Sequence, residues 1–148
     1  MNYNITRVNA GNYSKFSDLI HWRMTGKQRN AKDYAPSDEI KTELANCNLY
    51  IYAIEIEAIF VGWISLIYLP KVGKYNGHGH IYVDELWMEP SFRNNGLARA
   101  LMAKADDVAK ELKATGIRLY VNEENPTAQK LYKRCGYTAS CTAYMMQK

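Results

Sequence analysis

The sequence predicts a mixed α/β fold built on a single sheet, and three observations carry that prediction. Residues 49–55 and Ile59–Leu69 are β-rich runs separated by Ile56-Glu57-Ala58, the pattern of an antiparallel hairpin. Residues 80–121 then read strand, helix, strand, which implies two parallel neighbours joined by a right-handed crossover. Within that unit Leu97, Leu101, Val108 and Leu112 fall on one helical stripe with Ala105 between them, so the helix has an apolar face to lay on a sheet.

Taken in order, residues 2–8 alternate as a first strand, and residues 12–24 place Phe16, Leu19, Ile20 and Met24 at helical spacing behind Asn12 as a candidate cap. Residues 25–36 are polar and read as a loop. Ser37 then caps a short helix carrying Ile40 and Leu44, which ends near Asn46. The hairpin follows, with Gly62 marking an expected bulge. Residues 70–79 hold Gly73, Gly77 and Gly79 and read as a loop, after which residues 80–88 resume as a strand central to the sheet. The striped helix is expected to run from near Leu97 to Gly116, about twenty residues or roughly 30 Å, with Lys110 and Lys113 suited to its C-terminus. Residues 117–121 form a strand that feeds the loop Asn122-Glu123-Glu124. Asn125 is the N-cap of a last helix with Pro126 at its first position, and Gly136 closes it. Residues 137–147 supply one or two final strands.

At 148 residues the chain suits one domain, 1–148, able to bury roughly two-thirds of its unfolded surface. Nineteen Lys and Arg against 15 Asp and Glu give +4, too mild and too scattered for nucleic acid but suited to one polyanionic small molecule. Cys47, Cys135 and Cys141 are an odd set without paired spacing, which favours free thiols in a reducing compartment. The N-terminus lacks a secretory pattern, and the longest apolar run, residues 58–69, falls far short of the ~20 residues of a membrane span, so a cytoplasmic protein without membrane partners is expected. His78 and His80 lack a second ligand cluster at metal spacing, so no metal is expected.

Chemistry concentrates in Arg93-Asn94-Asn95-Gly96-Leu97-Ala98, which lies between the strand ending near Met88 and the helix beginning near Leu97. The first amides of a helix have no intrahelical partner and its dipole places partial positive charge there, so an anion is favoured. Gly96 allows close approach of the backbone, Ala98 keeps the first turn small, and Arg93 and Arg99 bring two cations. The stretch reads as a pyrophosphate cradle. No Gly-x-x-x-x-Gly-Lys-Ser/Thr is present and no Gly-x-Gly-x-x-Gly opens a helix, which disfavours a nucleotide-binding protein.

The cradle follows Glu85-Leu86-Trp87-Met88-Glu89-Pro90 and precedes Asn125-Pro126-Thr127-Ala128-Gln129-Lys130-Leu131-Tyr132-Lys133-Arg134-Cys135-Gly136-Tyr137. In this order and spacing the three pieces resemble the GCN5-related N-acetyltransferases (GNAT), specifically over residues 84–137. Asn94-Asn95 stands where that family more often has Gly or a basic residue. The resemblance implies the GNAT fold, a mixed sheet of roughly six or seven strands, splayed at its centre, with about four helices. It also implies acetyl-CoA as acyl-donor cosubstrate. The diphosphate would sit on the amides of Asn94, Asn95, Gly96, Leu97, Ala98 and Arg99 beside Arg93, and the backbone of Leu86, Trp87 and Met88 would face the pantetheine arm and acetyl oxygen. Asn125 and Ala128 would flank the cofactor, although capping alone accounts for Asn125.

Tyr132 looks like the family's general acid: a phenol of pKa about 10 stays protonated at neutral pH and can donate to a departing thiolate. The other reading is a buried tyrosine in the stripe Ala128, Leu131, Tyr132, Cys135. Asp84 and Glu85 are candidate bases for the attacking amine, and Asp84 matches the first acid of the pair in polyamine acetyltransferases. Successive strand residues face opposite sides, so only one of the two points at substrate unless a bulge intervenes. The loop after the first helix and the two helices that flank it, with Trp22, Arg23 and Tyr34, are the expected substrate wall. The acceptor is a small-molecule or peptide amine, the resemblance admits a homodimer, and the alternative function is a non-catalytic acyl-CoA binding or regulatory module.

Overall fold

The computed structural model describes residues 1–30, 34–73 and 75–148. Residues 31–33 of the first expected loop and residue 74 of the second lie outside the described residues. The strands are β1 (Asn4–Arg7), β2 (Leu49–Ile56), β3 (Ile59–Leu69), β4 (His80–Met88) and β5 (Ile117–Leu119), and the helices are α1 (Tyr13–Thr25), α2 (Asp38–Leu44), α3 (Leu97–Glu111) and α4 (Pro126–Arg134). The strands form one sheet in the order β1-β2-β3-β4-β5, antiparallel throughout except for the parallel β4–β5 pair. This is the mixed α/β architecture expected, with five strands among the described residues instead of six or seven.

The missing strands are those expected over residues 137–147. Residues 138–148 form none and are exposed. Thr138-Ala139-Ser140-Cys141-Thr142-Ala143 offers no alternating apolar face to bury, and β5 is too short, at three residues, to template a long neighbour.

The β2–β3 hairpin closes through Glu57 and Ala58, both at positive φ (49° and 67°), a two-residue loop whose twist matches its strands. Bulges follow in both long strands. Ile54 pairs with Gly62 but Glu55 with Phe60, so Val61 is the extra residue beside the glycine that was expected to mark it. Ser65 pairs with Glu85 but Leu66 with Val83, so Asp84 is the extra residue of β4. At Gly62 a Cβ would strike Met88 Sδ and approach the Trp87 carbonyl oxygen to 2.8 Å, so the backbones there approach closely only because the side chain is absent.

Both faces of the sheet are covered. On one, Ile54, Val61, Ile64, Leu66, Ile81 and Met88 meet Leu97, Leu101, Met102, Ala105 and Val108 of α3, with Tyr132, Cys135 and Tyr137 packed at the margin. On the other, Ala53, Phe60 and Trp63 meet Phe16 and Leu19 of α1. Met24, expected on that apolar stripe, is exposed as the penultimate residue of α1, and the Asn12 side chain does not cap the helix. The Asn12 side chain turns back instead, accepting from the Asn9 N–H at 2.8 Å and donating to the Arg7 carbonyl at 3.0 Å. Ser37 caps α2 as expected, accepting from the Ile40 N–H.

Helix α3 ends at Glu111, short of the expected Gly116, and Lys113 takes the left-handed position (φ 52°). The Lys113 N–H reaches the Lys110 carbonyl at 3.2 Å and the Ala114 N–H the Ala109 carbonyl at 2.9 Å, the two bonds of a Schellman cap. The early stop has a tertiary cause: Thr115 N–H donates to the Gly79 carbonyl at 2.8 Å, and the Gly116 carbonyl accepts from Ile81 N–H at 2.9 Å. These bonds commit the residues after the helix to the start of β4.

Candidate active site

Strand β4 pairs with β5 only through Ile81, Tyr82 and Val83. From Asp84 to Met88 its outer edge has no strand partner among the described residues, so a gap opens in the pairing there and alternate backbone N–H and C=O groups face it. The β4 edge of the gap runs along Leu86, Trp87 and Met88, half-buried, half-buried and buried.

Past Met88 the chain turns sharply into the cradle. The Glu89 carboxylate accepts from Ser91 N–H at 2.7 Å, and the short 3-10 turn Pro90–Phe92 follows. Arg93 Nε donates to the Met88 carbonyl at 2.9 Å, tying the turn to the strand end. Asn94 is left-handed (φ 63°), and Asn95 Nδ2 donates to the Arg93 and Phe92 carbonyls at 3.1 and 3.3 Å. Gly96, also left-handed at φ 77°, is the N-cap of α3 and has no side chain to cap it. The first bond into the helix runs from Ala100 N–H to the Gly96 carbonyl at 3.1 Å, so the amides of Leu97, Ala98 and Arg99 lie ahead of the intrahelical ladder. A Cβ built at Gly96 would meet nothing within 4 Å. Buried Leu97 anchors this end of the helix in the core, and Ala98 packs half-buried beside it.

Helix α4 is set by its caps. Asn125 Oδ1 accepts from the Ala128 N–H at 3.1 Å, with Pro126 at the first helical position. That bond uses the Ala128 amide and leaves the Asn125 NH2 group for other partners. At the far end Gly136 is left-handed (φ 92°), Gly136 N–H reaches the Lys133 carbonyl, and Tyr137 N–H reaches the Tyr132 carbonyl, both at 3.0 Å. The spacing Tyr132…Gly136-Tyr137 is therefore a Schellman cap, whose characteristic apolar contact is the Tyr132–Tyr137 ring pair, 6.2 Å between centroids. Tyr132 is half-buried, and desolvation, followed by the neighbouring Cys135, raises its pKa. Tyr137 is pushed up further by burial, and its hydroxyl is buried without a hydrogen-bond partner among the described residues. Arg99 lies close enough to α4 to oppose the burial that raises the Cys135 thiol.

The acids occupy different environments. The bulge leaves both Asp84 and Glu85 exposed, so strict alternation does not choose between them. Glu85 Oε2 accepts from Trp63 Nε1 at 3.1 Å and lies 3.4 Å from Arg23 Nη1. Asp84 has no ion pair among the described residues, and desolvation, then the charge of Glu85, raises its pKa. No hydrogen bond among the described residues joins Tyr132 to either acid. Tyr132 packs at the margin of the apolar cluster that also takes in Leu86, Met88, Leu97 and Ala98.

Among the residues expected to form the substrate wall, Arg23 reaches Glu85, Trp22 packs edge-on to Phe92 at 6.5 Å, and Tyr34 lies against Tyr13 at 5.9 Å. The sequence reading missed Trp63, whose only signal was an indole on the strand beside the acidic pair. His80 is buried at the head of β4, where desolvation, then Arg118 and Lys71, lower its pKa. Among the described residues no three His, Cys, Asp or Glu side chains are grouped to hold a metal ion, and no helix is long and apolar enough to cross a membrane.

Three likenesses accompany this geometry. An uncharacterized N-acetyltransferase of Methanocaldococcus jannaschii is 33% identical over 75 residues, covering 51% of this chain; the chain spans only 30% of that curated relative's length. An aminoglycoside acetyltransferase from an uncultured soil metagenomic sample, solved with trehalose, superposes with a TM-score of 0.81 at 17% identity, covering 99% of this chain and 95% of that one. An aminoglycoside N-acetyltransferase in complex with coenzyme A gives 0.76 at 14% identity, with coverage of 99% and 95%. At such identities the structures speak for the fold. The profile of the acetyltransferase (GNAT) family matches residues 16–137, most of the chain and every element from within α1 to the cap of α4, and the chain belongs to that family.

Proposed function

We propose that the chain is an acetyl-CoA dependent N-acetyltransferase that moves an acetyl group to a primary amine by direct attack, without an acyl-enzyme. The observation that carries this reading is the start of α3: amides ahead of the ladder, an uncapped Gly96 and open space beside it, following a strand whose pairing with β5 stops after Val83. Such a site suits a diphosphate. The amides of Asn94, Asn95, Gly96, Leu97, Ala98 and Arg99 would hold it, with Arg93 and Arg99 adding charge. The open edge at Leu86, Trp87 and Met88 would pair with the pantetheine arm and aim an N–H at the acetyl oxygen. The Asn125 NH2 group and the Ala128 face of α4 would close the other side.

The thioester supplies an activated acyl group, and this chain's side chains manage the protons. Asp84 is the proposed base, directly or through water. Its surroundings raise its affinity for a proton, whereas the Glu85 carboxylate is already engaged, accepting from the Trp63 N–H and facing the Arg23 guanidinium. Tyr132, protonated at neutral pH, is the proposed acid. As the C–N bond forms and the C–S bond breaks, the amine proton passes to Asp84 and the phenolic proton to sulfur; both groups then re-equilibrate with water. We further propose that residues 1–148 are one domain, in the cytoplasm, acting on a small-molecule or peptide amine.

The test is acetyl-CoA turnover, read as free thiol release, across classes of amine. Release with an amine, lost in Tyr132→Phe, supports the reading. Tight binding of acetyl-CoA without release for any amine replaces it with a non-catalytic binding module.

A further inference from the structure

The sheet face that packs on α1 carries a cluster whose aromatic faces are given no role in the acetyl-transfer scheme. The Trp63 indole is 3% exposed, with the Phe16 ring edge-on at 5.5 Å and the Trp87 ring at 5.3 Å. Arg23 lies over both indoles: its guanidinium carbon is 5.1 Å from the Trp63 ring centre and 5.8 Å from that of Trp87. The same guanidinium meets Glu85 Oε2, which the Trp63 N–H holds in place. Two aromatic faces and a carboxylate converging on one positive charge is the chemistry that recognises an ammonium or guanidinium group. Here the charge is the protein's own. It is loosely held, because the ion pair is 3.4 Å long with side chains 41% and 48% exposed, and Arg23 stands in the last turn of α1, just ahead of its Gly26 cap. Glu85 follows Asp84 directly on the bulge, so a cation in this place lies beside the proposed base.

We propose that Trp63, Trp87 and Glu85 form a cation subsite, filled by Arg23 in the free protein and taken over by the second positive charge of a diamine substrate. The inference rests on the acetyltransferase reading and gives it a substrate class: amines bearing a further cation a short methylene chain from the nitrogen to be acetylated. Arg23 then acts as a competitor that a monocationic amine cannot displace. If Arg23 only pins α1 to the sheet, its removal lowers stability and affects all amines alike.

Butylamine and 1,4-diaminobutane, equal in chain length and different in charge, separate these outcomes. Arg23→Ala is expected to raise the diamine-to-monoamine ratio of kcat/KM on the order of tenfold, mainly through KM, while Glu85→Gln and Trp87→Leu each lower it. A ratio unchanged across the three variants overturns the subsite. Calorimetric binding of the same two amines without acetyl-CoA gives a readout independent of turnover. Diaminobutane should bind Arg23→Ala more tightly than wild type, and Arg23→Ala/Glu85→Gln should lose that gain. If this order holds while no amine is acetylated, the enzyme reading fails and the subsite stands. If amines are acetylated and the order is absent, the subsite fails alone.

Discussion

In the proposed mechanism Tyr132 would meet two demands, since its ring packs on Tyr137 while its hydroxyl would have to reach a departing sulfur. Burial serves both, because desolvation raises the phenol above its ordinary value of 10.0 and keeps it protonated as the medium becomes alkaline. Tyr132→Phe is therefore expected to lower kcat by about a hundredfold with little change in the KM for acetyl-CoA. An acid loses its function as pH rises through its pKa, so the wild-type decline should lie above pH 10 and be missing from the Phe variant. Asp84→Asn should also lower kcat by about a hundredfold, with Glu85→Asn acting mainly on KM. At this scale the sequence was most legible where a residue's job is set by its neighbours along the chain. Asn125, Gly96 and Gly136 are cap residues, and capping spans only a few positions. The partner of Glu85 was illegible, because Trp63 lies 22 residues away and joins it only once β3 and β4 pair.

The boundaries of the elements reveal where tertiary bonds outweighed local preference. Glycine at 116 was the expected terminator of α3, yet the helix stops earlier on a lysine, because Thr115 and Gly116 are drawn to Gly79 and Ile81. Lysine in the left-handed region is strained, so Lys113→Gly should stabilise the protein by about 1 kcal/mol and raise Tm by about 3 °C in thermal unfolding. Asn125→Ala should do the reverse, costing about 1 kcal/mol through the lost bond to Ala128. The hairpin was legible from its strands but not from its turn, where Glu57-Ala58 replaces the Asn-Gly usual at two positive φ angles. The bulge at Asp84 left no signal, since an extra residue in one strand is defined only against the register of the other.

For the molecule as a whole, stability against acid should depend on His80. Its folded pKa lies below the ordinary 6.5, so the unfolded chain takes up the proton first. This stabilisation is complete above pH 6.5 and falls away as pH drops from there toward the folded value. Melting curves of wild type and His80→Gln should converge in slope below that window, with wild type losing a few degrees more across it. The architecture was legible because hydrophobic periodicity and the crossover rule act over the entire chain; the expected terminal strands failed because pairing needs a partner edge, and β5 offers three residues. The close approach at Gly62 bears on the cradle at a distance. A methyl group there would act as a shim between β3 and β4, pressing on Met88, whose carbonyl anchors Arg93. Gly62→Ala should thus loosen acetyl-CoA several-fold in a direct Kd measurement while touching none of it; on the proposed reading, the grip on the donor would be tuned from behind the wall that carries it.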